Sequence, residues 1–279
     1  MGPDRNPAEP GTGATVPLAP GELFTIAKGP LVVTVAPHAG GRIAQIIHRG
    51  DPLLVEYGPE TSTMIAWGSY PMVPWAGRVR EGRFDFQRNS YELPLNLGEH
   101  AIHGVGFGLP WRVDRHEEDL IELSLALPDD ERWPFGGEAR QRIEAGSGWL
   151  KMRLSVRALE KAMPAVVGWH PWFRKPERLD FTPSKIYPRD GRGIAVTPCV
   201  DPTPGPWDDC FINSDPVRLH YAGQSVRLLS DCSHWVVYDE TTYATCVEPQ
   251  SGPADSFNIE QVVLQPGEAL ERHFLIEWD

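Results

Sequence analysis

The stretch Trp149-Leu-Lys-Met-Arg-Leu-Ser-Val-Arg157 decides the fold class. Leu150, Met152, Leu154 and Val156 alternate with Lys151, Arg153, Ser155 and Arg157. Successive side chains of a strand point to opposite faces, so this run buries one face of a sheet and wets the other. The same period of two recurs at Ile121, Leu123, Leu125 and Leu127, and at Phe274, Ile276 and Trp278. The stretches 31–36, 42–49, 226–229 and 235–238 also read as strands. Turn chemistry separates them: Pro37-His-Ala-Gly-Gly41, Pro128-Asp-Asp130 and Gln265-Pro-Gly267 each supply a preset or a positive φ. Residues 159–163 have room for one helical turn at most, and no alternation of strands with helices supports a parallel sheet. The pattern predicts an all-β protein, a large antiparallel β-sandwich folded as a single domain over residues 21–279.

Bulk properties narrow the functional classes. A chain of 279 residues with 28 prolines, 27 glycines and no repeat period is rich in turns. Its formal charge of −12, with no run of Lys and Arg, repels a phosphodiester backbone and an acidic membrane surface. No segment approaches the roughly 20 apolar residues of a spanning helix, and no charged leader precedes an apolar region. The expectation is a cytoplasmic monomer or homodimer acting on a small molecule, with no nucleic-acid or membrane partner. Cys199, Cys210, Cys232 and Cys246 lack the paired spacing of zinc or redox sites and read as reduced thiols. Residues 1–20 carry few large apolar side chains and read as a flexible tail.

Three distant segments combine reactive groups with aromatics and strand breakers. The first holds Pro71-Met-Val-Pro-Trp75, Gly77-Arg-Val-Arg-Glu-Gly-Arg-Phe84 and Ala101-Ile-His-Gly-Val-Gly-Phe107. Arg78 either snorkels over Trp75 or points inward, where it needs partners. His103 precedes Gly104 and Gly106, which let backbone or ligand approach, yet alone it reads as a structural histidine. The second is Met163-Pro-Ala-Val-Val-Gly-Trp-His-Pro-Trp-Phe173, where His170 is a core histidine or a tuned proton carrier restrained by Pro171. The third is Ala244-Thr-Cys-Val-Glu-Pro-Gln-Ser-Gly-Pro-Ala-Asp-Ser-Phe-Asn258, where Glu248 ends an apolar strand. Alone, it reads as a solvated carboxylate.

Together these segments resemble the aldose 1-epimerase (galactose mutarotase) family. Pro71 to Val79 with Glu81-Gly-Arg-Phe84 resembles that family's Pro-rich arginine segment. Asn96 followed by Ile102-His-Gly104, Gly106-Phe107 and Trp111 resembles its Asn…His-Gly…Gly-Phe block. Gly168-Trp-His-Pro-Trp-Phe173, Trp207-Asp-Asp-Cys-Phe211 and Val247-Glu-Pro249 resemble three further blocks in the same order. The resemblance implies a β-supersandwich with an open cleft on one sheet. It also implies Glu248 as general base and His170 as general acid, with His103, Arg78, Asp208, Asn96 and Trp172 binding a hexose. Gly77 stands where many members have Asn, and Trp172 where Tyr is commoner.

Acid–base opening and closure of a sugar ring moves no electrons between substrates, so no cofactor or metal is expected. Two other classes compete. One is a non-catalytic carbohydrate-binding protein on the same fold; the other is a metal enzyme built on His100-x-x-His103 and a distant carboxylate. A hexose-6-phosphate mutarotase is the alternative within the family, since Arg78, Arg80 and Arg83 lie close together in sequence. Alternation puts Arg78 and Arg80 on one face and Arg83 on the other, which favours a neutral hexose.

Overall fold

A computed structural model describes residues 13–279. In it Trp149–Arg157 is the fourth strand of an eight-stranded antiparallel sheet, between Glu138–Ala145 and Ala269–Trp278. Leu150, Met152, Leu154 and Val156 are fully buried, while Lys151, Arg153 and Arg157 face solvent. Burying side chains of this size contributes about 1.5–3 kcal/mol each, which is what orients the strand. On the wet face, Arg142 reaches Glu122 at 2.5 Å and Glu144 at 3.0 Å, and Arg153 reaches Glu271 at 3.7 Å.

The second sheet has ten strands. Its order is Phe24–Lys28, Leu31–Ala36, Arg42–His48, Ser69–Met72, Gly168–Arg174, Ala244–Gln250, His234–Tyr238, Asp208–Ile212 and Lys185–Ile186, with Asp51–Pro52 added beside Arg42–His48. The two sheets pack face to face. Trp169 and Trp235 from the larger sheet meet Phe274 of the smaller at ring separations of 5.8 and 6.2 Å. Gln141 bridges the layers, accepting from Trp169 Nε1 at 3.2 Å and donating to the Gly41 carbonyl at 2.7 Å. This is the antiparallel single-domain sandwich that the alternation predicts.

Residues 159–163 form no helix, within the expected limit of one turn, and an α-helical turn lies at Ser256–Ile259, after the left-handed Asp255. Two local expectations need correction. Of the expected tail, residues 1–12 lie outside the described residues, but the remainder does not hang free. Ala14 is fully buried, its N–H donates to the Asn96 carbonyl, and Leu18 and Met64 tie this segment to the 62–65 loop. A small side chain suffices there because the contact is made by backbone groups. Finally, the strand carrying Glu248 does not end at that residue but continues through Pro249 to Gln250. No helix among the described residues is long and apolar enough to cross a membrane.

Candidate active site

The central strands of the larger sheet are buried on both faces. In Gly168–Arg174, Trp169 and Phe173 join the inter-sheet core, so period two turns His170 and Trp172 to the opposite face. Register pairs Gly168 with Gln250 and Trp172 with Cys246, which sets His170 abreast of Glu248. His170 Nε2 lies 3.2 Å from Glu248 Oε1, and both residues are nearly inaccessible, at 6% and 2% exposure. Gln250 donates from Nε2 to Glu248 Oε2 at 3.2 Å.

Ring stacking fixes the imidazole. Tyr70, opposite His170 on Ser69–Met72, stacks on it at 4.8 Å, and Trp172 stacks at 5.4 Å while donating its indole N–H to the Ile65 carbonyl. Behind Tyr70 lies Arg42, fully buried, its guanidinium 5.0 Å from the Tyr70 ring and 4.2 Å from Trp67, donating to the carbonyls of Ala39, Trp67 and Phe107. Burial pushes the Arg42 guanidinium down to about 9.

The cleft above this floor encloses about 310 Å³, at the lower end of small-molecule sites. One wall is the short pairing of Arg78–Val79 with Ala101–Ile102, and it carries Arg78 and His103. The His103 N–H donates to the Gly77 carbonyl, and the His103 and His170 rings meet edge to face at 5.0 Å. His103 sits in the left-handed region at φ 62°, a position of backbone strain in a site. Gly104 admits backbone rather than ligand. A Cβ on Gly104 would stand 1.9 Å from the Val73 carbonyl oxygen, the same oxygen that accepts from Val105 and Gly106. Gly77 has φ 69°, and Asn is among the few side chains that tolerate that region, so the Gly-for-Asn difference preserves the backbone.

The opposite wall holds Asp208, Asp209, Tyr238 and Glu240, together with Arg189, Gly193 and Ala195 from the 187–207 loop. Arg189 grips both aspartates, Asp208 at 2.7 Å and Asp209 at 3.0 Å, while Arg78 stands 3.8 Å from Asp208. Ion pairs also join the walls: Arg80 to Asp190 at 2.8 Å, and Arg192 to Glu81 at 2.5 Å and to Glu99 at 2.9 Å.

Burial governs the electrostatics. It raises the Glu248 carboxyl well above its ordinary 4.5, reinforced by the Asp208 charge and opposed by Gln250 and Arg78. It lowers His170 to about 3, with the Arg42 charge acting the same way. His103 is also held well below 6.5, by burial first and then by His170 and Arg78. Burial therefore favours the uncharged form of both groups, the carboxylic acid and the neutral imidazole.

Of the residues named from sequence, the structure brings Glu248, His170, His103, Arg78, Asp208 and Trp172 around one cleft. Asn96 is the exception. Its amide is fully engaged with the backbone of Ile102, accepting from the N–H at 2.7 Å and donating to the carbonyl at 3.0 Å. It holds the strand before His103 and does not line the cleft. Arg80 does not share a face with Arg78, because the strand ends at Val79 and a turn with Glu81 at φ 52° follows. His100 turns away from His103, its Nδ1 accepting from the Glu81 N–H at 3.1 Å. Sequence reading missed Arg189, Gln250 and Tyr238. Gln250 carries a signal, being two residues from Glu248 on one strand; Arg189, in an irregular proline-rich loop, carries none.

The family model of aldose 1-epimerase matches residues 22–277. The Escherichia coli K12 protein YihR is 28% identical over 167 residues, 58% of this chain and 50% of YihR, so the match spans about half of that relative's length. YphB of the same organism is 27% identical over 155 residues, 54% of this chain and 51% of YphB. Among solved structures, a galactose mutarotase-like protein from Clostridium acetobutylicum superposes with a TM-score of 0.82 at 18% identity, covering 91% of this chain and 94% of that one. Galactose 1-epimerase from Lactobacillus acidophilus NCFM superposes with a TM-score of 0.76 at 18% identity, covering 91% and 93%. These superpositions establish a shared galactose mutarotase-like fold, and the family match over nearly the whole described chain establishes that this protein belongs to the aldose 1-epimerase family.

Proposed function

We propose that this protein is a mutarotase, interconverting the α and β anomers of a neutral aldohexose with Glu248 as general base and His170 as general acid. The observation that carries the reading is the pairing of His170 Nε2 with Glu248 Oε1 at 3.2 Å on the floor of a cleft whose walls bear Arg78, His103 and Asp208. A protein that only bound sugar would need the walls but not that pair.

The reaction removes the proton of the anomeric hydroxyl and protonates the ring oxygen, so the C1–O5 bond breaks and an open-chain aldehyde forms. Rotation about C1–C2 presents the other carbonyl face, and closure returns both protons. The pair needs one proton in total. With the proton on Glu248 the pair is neutral, as burial favours; with it on His170 the pair is a carboxylate facing an imidazolium. The charge of Arg78 lowers the Glu248 carboxyl and so favours the second form. A sugar that fills the cleft and hydrogen-bonds to the carboxylate favours it further, so substrate binding arms base and acid together. Trp172 and Tyr238 offer apolar faces to the sugar's C–H groups, and Asp208 and Arg78 offer charge-assisted hydrogen bonds to its hydroxyls.

A neutral substrate is supported by the ion pairing. Arg189 is engaged by Asp208 and Asp209, Arg80 by Asp190 and Asp255, and Glu240 adds further negative charge to the cleft. Polarimetry on freshly dissolved α-anomers tests the function. Accelerated mutarotation of glucose or galactose in the presence of a chelator is expected, with a lower kcat/KM on the 6-phosphate. Activity that vanishes in chelator and returns with a divalent ion would overturn the acid–base reading.

A further inference from the structure

We propose that His170, Cys246 and Glu248 form a binding site for a thiophilic divalent cation, zinc above all. Nothing in ring opening requires Cys246, yet its thiol is fully buried beside the pair. Cys246 and Glu248 stand two apart on one strand and share its cleft-side face, and the adjoining strand sets His170 against them. One donor atom from each residue lies within 4.8 Å of the others. Three points so placed have a common centre no more than 4.8/√3, about 2.8 Å, from any of them. Zinc bonds of about 2.0–2.3 Å therefore require inward shifts of only ~0.5–0.8 Å.

The donor set selects the ion. Imidazole, thiolate and carboxylate suit zinc and its softer neighbours, whereas calcium and magnesium demand oxygen alone. Three protein ligands leave a fourth position open toward the cleft, as in exchangeable rather than closed structural sites. Outer contacts that orient such ligands are present too: Gln250 holds Glu248 Oε2, and Tyr70 and Trp172 clamp the imidazole. A bound cation would occupy both the carboxylate and the imidazole lone pair, and so stop proton transfer. That inhibitory consequence rests on the mutarotase reading; the site itself does not.

The test uses metal-free full-length protein titrated anaerobically with Co²⁺. One equivalent should produce the near-ultraviolet charge-transfer band of a cobalt–thiolate bond, and one equivalent of Zn²⁺ should abolish it. Cys246→Ala should lose the band and bind zinc about a hundredfold more weakly, the share of one ligand in a zinc site, while keeping wild-type mutarotation in chelator. Cys210→Ala, removing the thiol that lines the cleft, should keep the band. Cys246→Ser serves the same comparison if the alanine variant fails to fold. No cobalt–thiolate band, or a band and zinc affinity that survive the loss of Cys246, would overturn the proposal. A band that depends on Cys246 in a protein that turns over no sugar would sustain the site and remove the mutarotase reading.

Discussion

The outer face of the eight-stranded sheet and the cleft face of the ten-stranded sheet present the same kinds of side chain from the same backbone geometry. On the outer face, Arg142 lies against Glu122 and Glu144 with all three partly in solvent. On the cleft face, His170 lies against Glu248 with both nearly sealed from solvent. Water screens the first set, so each pair is worth about 0–1 kcal/mol and carries no reactivity. Burial of the second set pushes the carboxyl up and the imidazole down, toward the uncharged form of each. The difference is not residue type but cover. The segments 73–107 and 187–207 roof one face, whereas among the described residues Lys151, Arg153 and Arg157 on the other stand exposed.

The comparison breaks most visibly if the covered pair is dispensable. Glu248→Gln keeps the shape of the side chain and removes the proton acceptor, and kcat is expected to fall by about 10²–10⁴-fold, as it is for His170→Asn. Polarimetry gives the rate. A Glu248→Gln enzyme with near wild-type kcat would mean the base lies elsewhere in the cleft. On the inner face of the outer sheet, Leu154→Ala should cost about 2–5 kcal/mol in urea unfolding while kcat per folded molecule stays put. A loss of kcat instead would show that the core, and not the cover, tunes the pair.

Arg189 sharpens the comparison, because it is an ion-paired arginine of the cleft rather than of the outer face. Arg189→Met frees Asp208 and Asp209, and KM is expected to rise roughly 10–100-fold with a small change in kcat, since a charge-assisted contact is lost and no proton carrier is touched. A fall in kcat at unchanged KM would make Arg189 part of the chemistry. The pH dependence, measured in chelator, is subtler. Below the depressed His170 value of about 3 both groups are protonated and no base remains; above the raised Glu248 value neither is and no acid remains. On the acid side activity is therefore expected to persist below 4.5 and to fall only toward 3, whereas an unshifted pair would lose its base near 4.5. An acid limb at 4.5 would show the pair to be solvated. The smallest effect belongs to the outer face: Glu122→Gln should leave kcat unchanged and stability within about 1 kcal/mol.

Several strands were legible where one face is dry and the other wet, although Glu138–Ala145 and Val217–Tyr221, which alternate in burial, were not read. Trp149–Arg157 and Leu31–Ala36 run as their alternation dictates. The central strands were harder to read, because Ala244–Gln250 is buried on both sides and shows no such contrast. There the proline after Glu248 looked like an ending, although the neighbouring strand still pairs beyond it, His234 with Gln250. Asn96 was read as a sugar contact from its place in a motif, and only its two bonds to Ile102 reveal a residue that holds the segment before His103.

By itself, then, the sequence determined the fold class, the places of several strands and three of the segments that carry reactive groups. Side-chain periodicity and backbone restriction are local, and local physics is written in neighbouring residues. Only the tertiary structure decided that Glu248 and His170 face each other across two strands, that Arg189 closes on Asp208 and Asp209, and that the pair lies beneath a roof. Those facts depend on register between strands distant in the chain and on exclusion of water, and neither leaves a mark on the residues next door.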